Sequence, residues 1–149
     1  MRHVRLVVPL LLILACGTEP SEPPSSFIRF RTDGSDYMQS DPFTITITNV
    51  GSYRLRVQPR CFELQQLTDN GWKMAGGAAE TPTCTWVTLS PGQNYFQPFS
   101  IRDAPLGTAR IEFLEVQILD STGTGGAIPQ LPVGERRTNQ FRVTQGNTF

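Results

Sequence analysis

The stretch FTITITN at residues 43–49 decides the fold class of this chain. Its apolar side chains Phe43, Ile45 and Ile47 alternate with polar side chains along the whole stretch. Successive side chains of a β-strand point to opposite faces, so the alternation predicts a strand with one buried face and one exposed face. Residues 53–57 repeat the pattern, which indicates a second strand after a short turn.

Further runs of the same kind continue to the end of the chain, separated by residues that favour turns. They cover residues 61–67, 72–74, 85–89, 94–101, 108–119 and 138–144. Asn70-Gly71 lies between the first two of these runs and predicts a hairpin, because both residues tolerate positive φ. Pro98 has no backbone N–H to donate, so it predicts an edge strand or a bulge in the run that contains it.

The run TARIEFLEVQIL at residues 108–119 changes its parity in the middle. Apolar side chains occupy odd positions up to Phe113 and even positions from Leu114 to Ile118. A helix would also explain this mixture, but a long strand with a β-bulge near Phe113 and Leu114 agrees better with the neighbouring strands. About seven or eight short strands without a convincing helix predict an all-β fold, an antiparallel immunoglobulin-like β-sandwich over residues 27–149.

An ordered set of short motifs across residues 27–149 resembles the bacterial immunoglobulin-like domains of secreted proteins and lipoproteins. The motifs are a strand that ends in Thr-Asn, a cysteine before a hairpin closed by Gly-Trp, a second cysteine, an L-x-P-G turn, a G-x-x-R-I strand entry and a T-N-x-F-x-V ending, at residues 48–49, 61–72, 84, 89–92, 107–111 and 138–143. The resemblance implies a β-sandwich and implies no catalytic residues.

The N-terminal segment predicts where the protein resides. A basic start precedes an uncharged apolar run that is too short for the roughly 20 residues of a membrane span, and the run ends in Ile-Leu-Ala-Cys-Gly at residues 13–17. This ending resembles the lipobox of bacterial lipoproteins, which implies cleavage of residues 1–15 and lipidation of Cys16. The alternative is an ordinary signal peptide with a chance cysteine. Residues 16–26 are rich in proline and serine and read as a flexible tether.

The lipoprotein resemblance also implies a location in the bacterial cell envelope, with the membrane as a partner through the lipid anchor. The residue that follows the cysteine is Gly17 and not aspartate, which favours the outer membrane in a bacterium with two membranes.

The composition of residues 16–149 excludes several classes of function. Two of the 13 basic side chains, Arg2 and Arg5, precede Cys16, so 11 basic and 13 acidic side chains remain and the net charge is −2. A nucleic-acid partner is not expected, because such binding depends on a basic face. The one histidine, His3, is also removed, which excludes histidine-dependent nucleophilic catalysis and histidine metal sites. No cofactor is expected.

The two remaining cysteines, Cys61 and Cys84, predict a disulfide in an oxidising compartment. Free thiols or metal ligands are the alternative, although two cysteines without a histidine make a poor metal site.

Two groups of acidic residues could carry chemistry. Glu112 and Glu115 are a possible carboxylate pair on the run 108–119, but a solvated strand face explains them as well. Three aspartates could gather around calcium, but their spacing lacks the D-x-D-x-D pattern and a polar turn is the simpler interpretation; they are Asp33, Asp36 and Asp41.

The glycine cluster at residues 123–126 lacks the strand, helix and lysine of a phosphate-binding loop, which favours a flexible loop. The longer segment 120–135 is a possible contact loop, because structureless loops beyond about 12–15 residues are uncommon in compact domains. Its apolar residues are Ile128, Leu131 and Val133; packing over the end of the sandwich is the alternative.

Trp72 and Trp86 flank the predicted disulfide along the sequence. Exposed tryptophans could stack on a sugar or a peptide, whereas buried ones would cover the core or the disulfide.

Together these observations predict a non-catalytic envelope lipoprotein with an immunoglobulin-like interaction or structural module, whose partner is an envelope protein or polymer. A first alternative is a proteinase inhibitor that inserts the loop 120–135 into a protease, since small bacterial inhibitors with this kind of fold have a similar tryptophan and L-x-P-G arrangement. A second is a glycosidase that uses carboxylates only, with Glu112 or Glu115 as the essential group.

Overall fold

The computed structural model describes residues 27–39, 41–77, 84–100, 104–119 and 131–146. Within these residues the chain forms eleven β-strands, one 3-10 helix and no α-helix. The strands are β1 (Ile28–Thr32), β2 (Asp36–Met38), β3 (Pro42–Asn49), β4 (Leu55–Val57), β5 (Phe62–Thr68), β6 (Gly71–Gly77), β7 (Val87–Leu89), β8 (Asn94–Ser100), β9 (Gly107–Phe113), β10 (Val116–Ile118) and β11 (Phe141–Thr144). The 3-10 helix covers Val133–Arg136.

The strands form three sheets. The front sheet has the order β1-β3-β8, the back sheet has the order β2-β11-β9-β5-β6, and the third sheet has the order β10-β4-β7. All pairings between these strands are antiparallel except that of β2 with β11. Antiparallel sheets with one apolar and one polar face are the sheets from which β-sandwiches are built, because the two apolar faces pack against each other.

The front and back sheets pack against each other through aromatic side chains. Phe30 of β1 stacks on Phe113 of β9 with ring centroids 4.4 Å apart. At another point Phe62 of β5 meets Phe99 of β8 edge to face at 4.6 Å. The third sheet adds fully buried aliphatic side chains to the same core, namely Leu55, Val57, Leu89 and Val116. The predicted all-β immunoglobulin-like sandwich is therefore confirmed.

Residues 43–49 form a strand with one buried and one outer face, as their alternation predicts. Phe43, Ile45 and Ile47 are buried in the core, while the threonines between them lie on the outer face of the front sheet. The strand ends at Asn49, whose buried amide donates to the carbonyl oxygens of Tyr53 at 2.7 Å and Leu89 at 2.9 Å. Asn49 thereby connects the end of β3 to both the β3–β4 turn and β7.

The predicted hairpin is confirmed, since β5 and β6 pair antiparallel across a tight turn at residues 69–70. Gly71 adopts a φ of +91°, which glycine tolerates and other residues rarely adopt. Pro98 lies in β8, which pairs only with β3 among the described strands, so the prediction of an edge strand is also confirmed.

The prediction of one long strand with a bulge near residues 113–114 is wrong. β9 ends at Phe113 in the back sheet, and β10 begins at Val116 in the third sheet. Both of these side chains are fully buried. The change of parity arises because the chain passes from one sheet to another through Leu114 and Glu115, and each sheet turns its own side toward the shared core.

The strand count also exceeds the predicted seven or eight. Besides the division of 108–119 into β9 and β10, the structure adds β1 and β2, which the sequence interpretation did not assign. β2 has only three residues and is held by parallel pairing with β11 at the far end of the chain, so no local pattern indicates it.

Candidate functional site

Five side chains form a connected group on the outer face of the back sheet, here named the back-sheet cluster. They are Gln65 on β5, Trp72 on β6, Arg110 and Glu112 on β9, and Arg137 beyond the 3-10 helix. Strand alternation explains the placement, because residues 109, 111 and 113 of β9 point into the core and the residues between them point outward.

The cluster is held by short polar contacts. Arg137 Nε lies 3.0 Å from Glu112 Oε2, and Gln65 Nε2 donates to the same oxygen at 2.9 Å. Arg110 Nε donates to Gln65 Oε1 at 2.9 Å, and its guanidinium lies 4.0 Å from the ring centroid of Trp72. The side chains therefore form one chain of contacts across three strands, from Trp72 to Arg137.

Burial strengthens the hydrogen bonds and the ion pair of the back-sheet cluster. Arg110 is 6% exposed and Glu112 is 8% exposed, although both point away from the core. Charged hydrogen bonds that are shielded from water are stronger than those at a fully exposed surface. The cluster therefore fixes the orientation of two guanidinium groups and one carboxylate on a rigid sheet.

The carboxylate that the fold places beside Glu112 is not Glu115. Glu63 of β5 is the direct register partner of Glu112 on β9, so these two side chains emerge on the same face, with Cβ atoms about 5 Å apart as in any such pair. Glu115 lies instead in the link between β9 and β10. Glu112 already binds a guanidinium and an amide, which makes it a structural partner in the cluster.

Both tryptophans lie at the surface, and an arginine guanidinium packs over the ring of each. Arg56 lies over the ring of Trp86 at 4.6 Å, as Arg110 lies over Trp72. Each ring is half-buried, and neither belongs to the core. Their role in the described structure is cation–π pairing, which offers one ring face to an arginine.

The predicted disulfide is present between Cys61 and Cys84, whose Cα atoms lie 5.8 Å apart. This separation is within the usual range for disulfides. Cys61 is buried and precedes β5, whereas Cys84 is exposed and precedes β7, so the disulfide ties the back sheet to the third sheet.

The three aspartates near the start of the domain each accept local hydrogen bonds. Asp33 accepts from the Tyr37 hydroxyl at 2.7 Å and from the Thr44 backbone at 3.0 Å. Asp36 accepts from Ser35 and Asp41 from the backbone of Met38. In the part of the chain that the structure describes, no three acidic, cysteine or histidine side chains gather as metal ligands would. These contacts are those of polar turns.

The predicted contact loop is described only in part. Leu131 is 4% exposed and belongs to the core, while Val133 is 44% exposed at the start of the 3-10 helix. Ile128 and the glycine cluster 123–126 lie outside the described residues. Arg136 ends the 3-10 helix, is buried and donates from Nη1 to the carbonyl oxygen of Leu114, which anchors the helix to the link between the two sheets.

The N-terminal predictions, namely the signal segment 1–15, the lipidated Cys16 and the tether 16–26, also lie outside the described residues. Within the described ranges, no helix is long and apolar enough to cross a membrane.

The sequence interpretation identified Trp72 and Glu112 but not their partners. Gln65 is 47 residues from Glu112, and Arg137 is 25 residues from it. The one local signal was the pattern of β9 itself, in which charged residues alternate with apolar ones. Which charges they meet depends on the order of strands in the sheet.

The sheets and their shared core give this chain an immunoglobulin-like β-sandwich fold. No family model and no curated protein matches it. Among solved structures, it is similar to the CARDB domain of a Pyrococcus furiosus protein at 12% identity and a TM-score of 0.39, over 80% of this chain and 95% of that one. It is also similar to an ASH/PapD-like domain of human CEP192 at 10% identity and a TM-score of 0.37, over 99% of both chains.

A third similar structure is the DNA glycosylase AlkC of Pseudomonas fluorescens, at 11% identity and a TM-score of 0.38 over 80% of this chain. The matched region is only 31% of that glycosylase chain. Likeness at these levels concerns the general fold and indicates no binding partner or activity.

Proposed function

We propose that this chain is a bacterial lipoprotein whose immunoglobulin-like domain is a non-catalytic binding module at the cell envelope. The observation that carries the proposal is the uncharged apolar run that ends in Ala15-Cys16 behind a basic start. Acylation of Cys16 would hold the chain at a membrane, because each buried CH2 of an acyl chain contributes about 0.8 kcal/mol.

The domain that follows supports this proposal in two ways. The first described strand begins at Ile28, two residues after the proline- and serine-rich segment 16–26, which agrees with a domain boundary near residue 27. The Cys61–Cys84 disulfide uses the other two of the three cysteines and suits an oxidising compartment such as the envelope.

The geometry of the back sheet favours binding over catalysis. The carboxylate of Glu112 is engaged by Arg137 and Gln65, and the chain beyond residue 15 contains no histidine. General acid–base catalysis needs a titrating group within reach of a substrate, and Glu112 is committed to a structural pair.

Expression in a bacterium of the wild-type chain and of Cys16→Ser tests the anchor. We expect the wild-type N-terminal peptide to begin at Cys16 with a diacylglycerol mass and the protein to fractionate with membranes. The Cys16→Ser chain should lack this mass and leave the membrane fraction. Cys84→Ser is the matched control, because it removes a different cysteine and should keep the acylated N-terminus.

A mature N-terminus at another residue, or a Cys16→Ser protein that still carries acyl chains, would contradict the proposal.

A further inference from the structure

We infer that the outer face of the front sheet is a binding surface for an anionic saccharide chain of the envelope. This inference rests on the proposed function only for the location of the ligand. The surface, here named the front face, consists of side chains that alternate with the buried ones on three paired strands: Arg29 and Arg31 on β1, Thr44, Thr46 and Thr48 on β3, and Asn94 and Phe96 on β8.

The register arranges these side chains in two rows. Arg29, Thr48 and Asn94 are aligned across the three strands, and the neighbouring row aligns Arg31 with Thr46 and Phe96. Strands in a sheet lie about 4.8 Å apart, and residues two positions apart on one strand are separated by about 6.7 Å, so the rows span roughly 10 Å and lie about 7 Å from each other.

The groups on the front face are available, unlike those of the back-sheet cluster. Neither Arg29 nor Arg31 makes an ion pair or a side-chain hydrogen bond with the described part of the chain, and both are exposed. The hydroxyls of Thr46 and Thr48 likewise form no hydrogen bond with described residues. Phe96 is 62% exposed, although Gln97 and Phe99 of the same strand are buried.

The charge of the front face selects an anion. The guanidinium groups of Arg29 and Arg31 stand on one strand and form no ion pair with described residues, and the nearest acidic residue in the sequence is Asp33, just beyond the end of β1. The two carboxylate oxygens of Asp33 already accept from Tyr37 and from the Thr44 backbone. Guanidinium groups bind carboxylates and phosphates in a bidentate manner, so a ligand that carries either group complements this surface.

The remaining side chains select a saccharide. Regularly spaced hydroxyls suit the hydroxyls of sugar residues, and an exposed aromatic ring offers a flat apolar face on which a pyranose can lie. A membrane surface is disfavoured, because lipid-binding basic patches contain about 4–8 lysines or arginines and the front face has two arginines. An extended peptide would add to a sheet edge, whereas these groups lie on the flat of the sheet.

The test uses the chain from residue 16 with Cys16→Ser, secreted to an oxidising compartment so that the disulfide forms. Binding is measured by calorimetry with three probes: oligogalacturonate, which carries carboxylates, phosphomannan, which carries phosphates, and neutral mannan. We expect binding of at least one anionic polymer that weakens with added salt, and no binding of the neutral polymer.

The variants connect binding to the front face. Arg29→Gln combined with Arg31→Gln should weaken binding by roughly tenfold or more, since both charged hydrogen-bond donors to the anion are lost. Phe96→Thr should weaken it by about tenfold through loss of the stacking surface. Arg142→Gln, an exposed arginine on β11 of the back sheet, is the matched control and should leave binding unchanged.

Three results would overturn the inference: no binding to either anionic polymer, binding that the front-face variants leave intact, or binding only to vesicles of phosphatidylcholine and phosphatidylglycerol at a 4:1 ratio. Acylation of Cys16 is measured separately in cells, so failure of the anchor and failure of saccharide binding are distinguishable.

Discussion

The ion pair between Glu112 and Arg137 supports a quantitative prediction about stability. Glu112→Gln keeps the shape of the side chain and removes its charge. Glu112 Oε2 receives two contacts, from Arg137 Nε at 3.0 Å and Gln65 Nε2 at 2.9 Å. Glu112 is 8% exposed, so water replaces these contacts poorly when they weaken.

The expected cost follows from the kind of hydrogen bond that is changed. A hydrogen bond to a charged group contributes about 1.5–3 kcal/mol, and one between neutral groups contributes about 0.5–1.5 kcal/mol, so each of the two contacts loses roughly 1 kcal/mol. Part of this loss is returned, because Glu63 lies directly opposite and like charges at such positions destabilise a sheet by a few tenths of a kcal/mol. The net loss for Glu112→Gln should be about 1–2 kcal/mol.

Urea unfolding followed by tryptophan fluorescence measures this loss as a lower midpoint at an unchanged slope. Glu115→Gln is the matched control, because Glu115 makes no side-chain hydrogen bond with described residues and should change stability by less than about 0.5 kcal/mol. If Glu112→Gln is as stable as Glu115→Gln, the ion pair contributes nothing and our account of the back-sheet cluster fails.

Three further perturbations test other parts of the fold. Asn49→Ala removes three side-chain hydrogen bonds, including that from the Gly51 N–H to Oδ1, and should cost about 3 kcal/mol in urea unfolding; a cost below that of Glu112→Gln would contradict this role. Cys61→Ser with Cys84→Ser opens a disulfide that spans 23 residues of sequence and should cost about 3 kcal/mol by the loop-entropy model. Dithiothreitol should lower the thermal midpoint of the wild type similarly and leave the double variant unchanged. Burial and then the hydrogen bond to Asp33 raise the pKa of Tyr37 above its ordinary value of 10.0, so the folded state holds this proton more tightly than the unfolded chain. Its contribution to stability is complete below the unfolded pKa and is lost as the pH rises through the folded pKa. Tyr37→Phe should therefore flatten the loss of stability above pH 10.0, and an unchanged alkaline profile would refute the assignment.

The surface sites illustrate how far local patterns extend. The alternation in β3 predicted which side chains are buried and which threonines face outward, and both agree with the structure. It did not indicate that Arg31 and Phe96 would stand in one row, because that row joins three strands from distant parts of the sequence. Contacts of this kind depend on strand order, which a period-2 pattern does not contain.

The sequence by itself determined the fold class, the hairpin at Gly71 and the pairing of Cys61 with Cys84. The first two features depend on local interactions, namely the alternation of side chains along a strand and the tolerance of glycine for positive φ. The disulfide follows from the number of cysteines, because only two remain to pair when Cys16 is assigned to the lipid anchor. The sequence also predicted the lipid anchor, which stays a prediction.

The tertiary structure decided what the sequence could not. It replaced the expected bulge with a crossing between sheets at Leu114 and Glu115, since both a bulge and a crossing change the parity of apolar residues in the same way. It also gave Glu112 the partners Gln65 and Arg137 in place of Glu115. The physical reason is that a strand's own residues specify which face is buried, whereas its neighbours are selected by packing of the whole core.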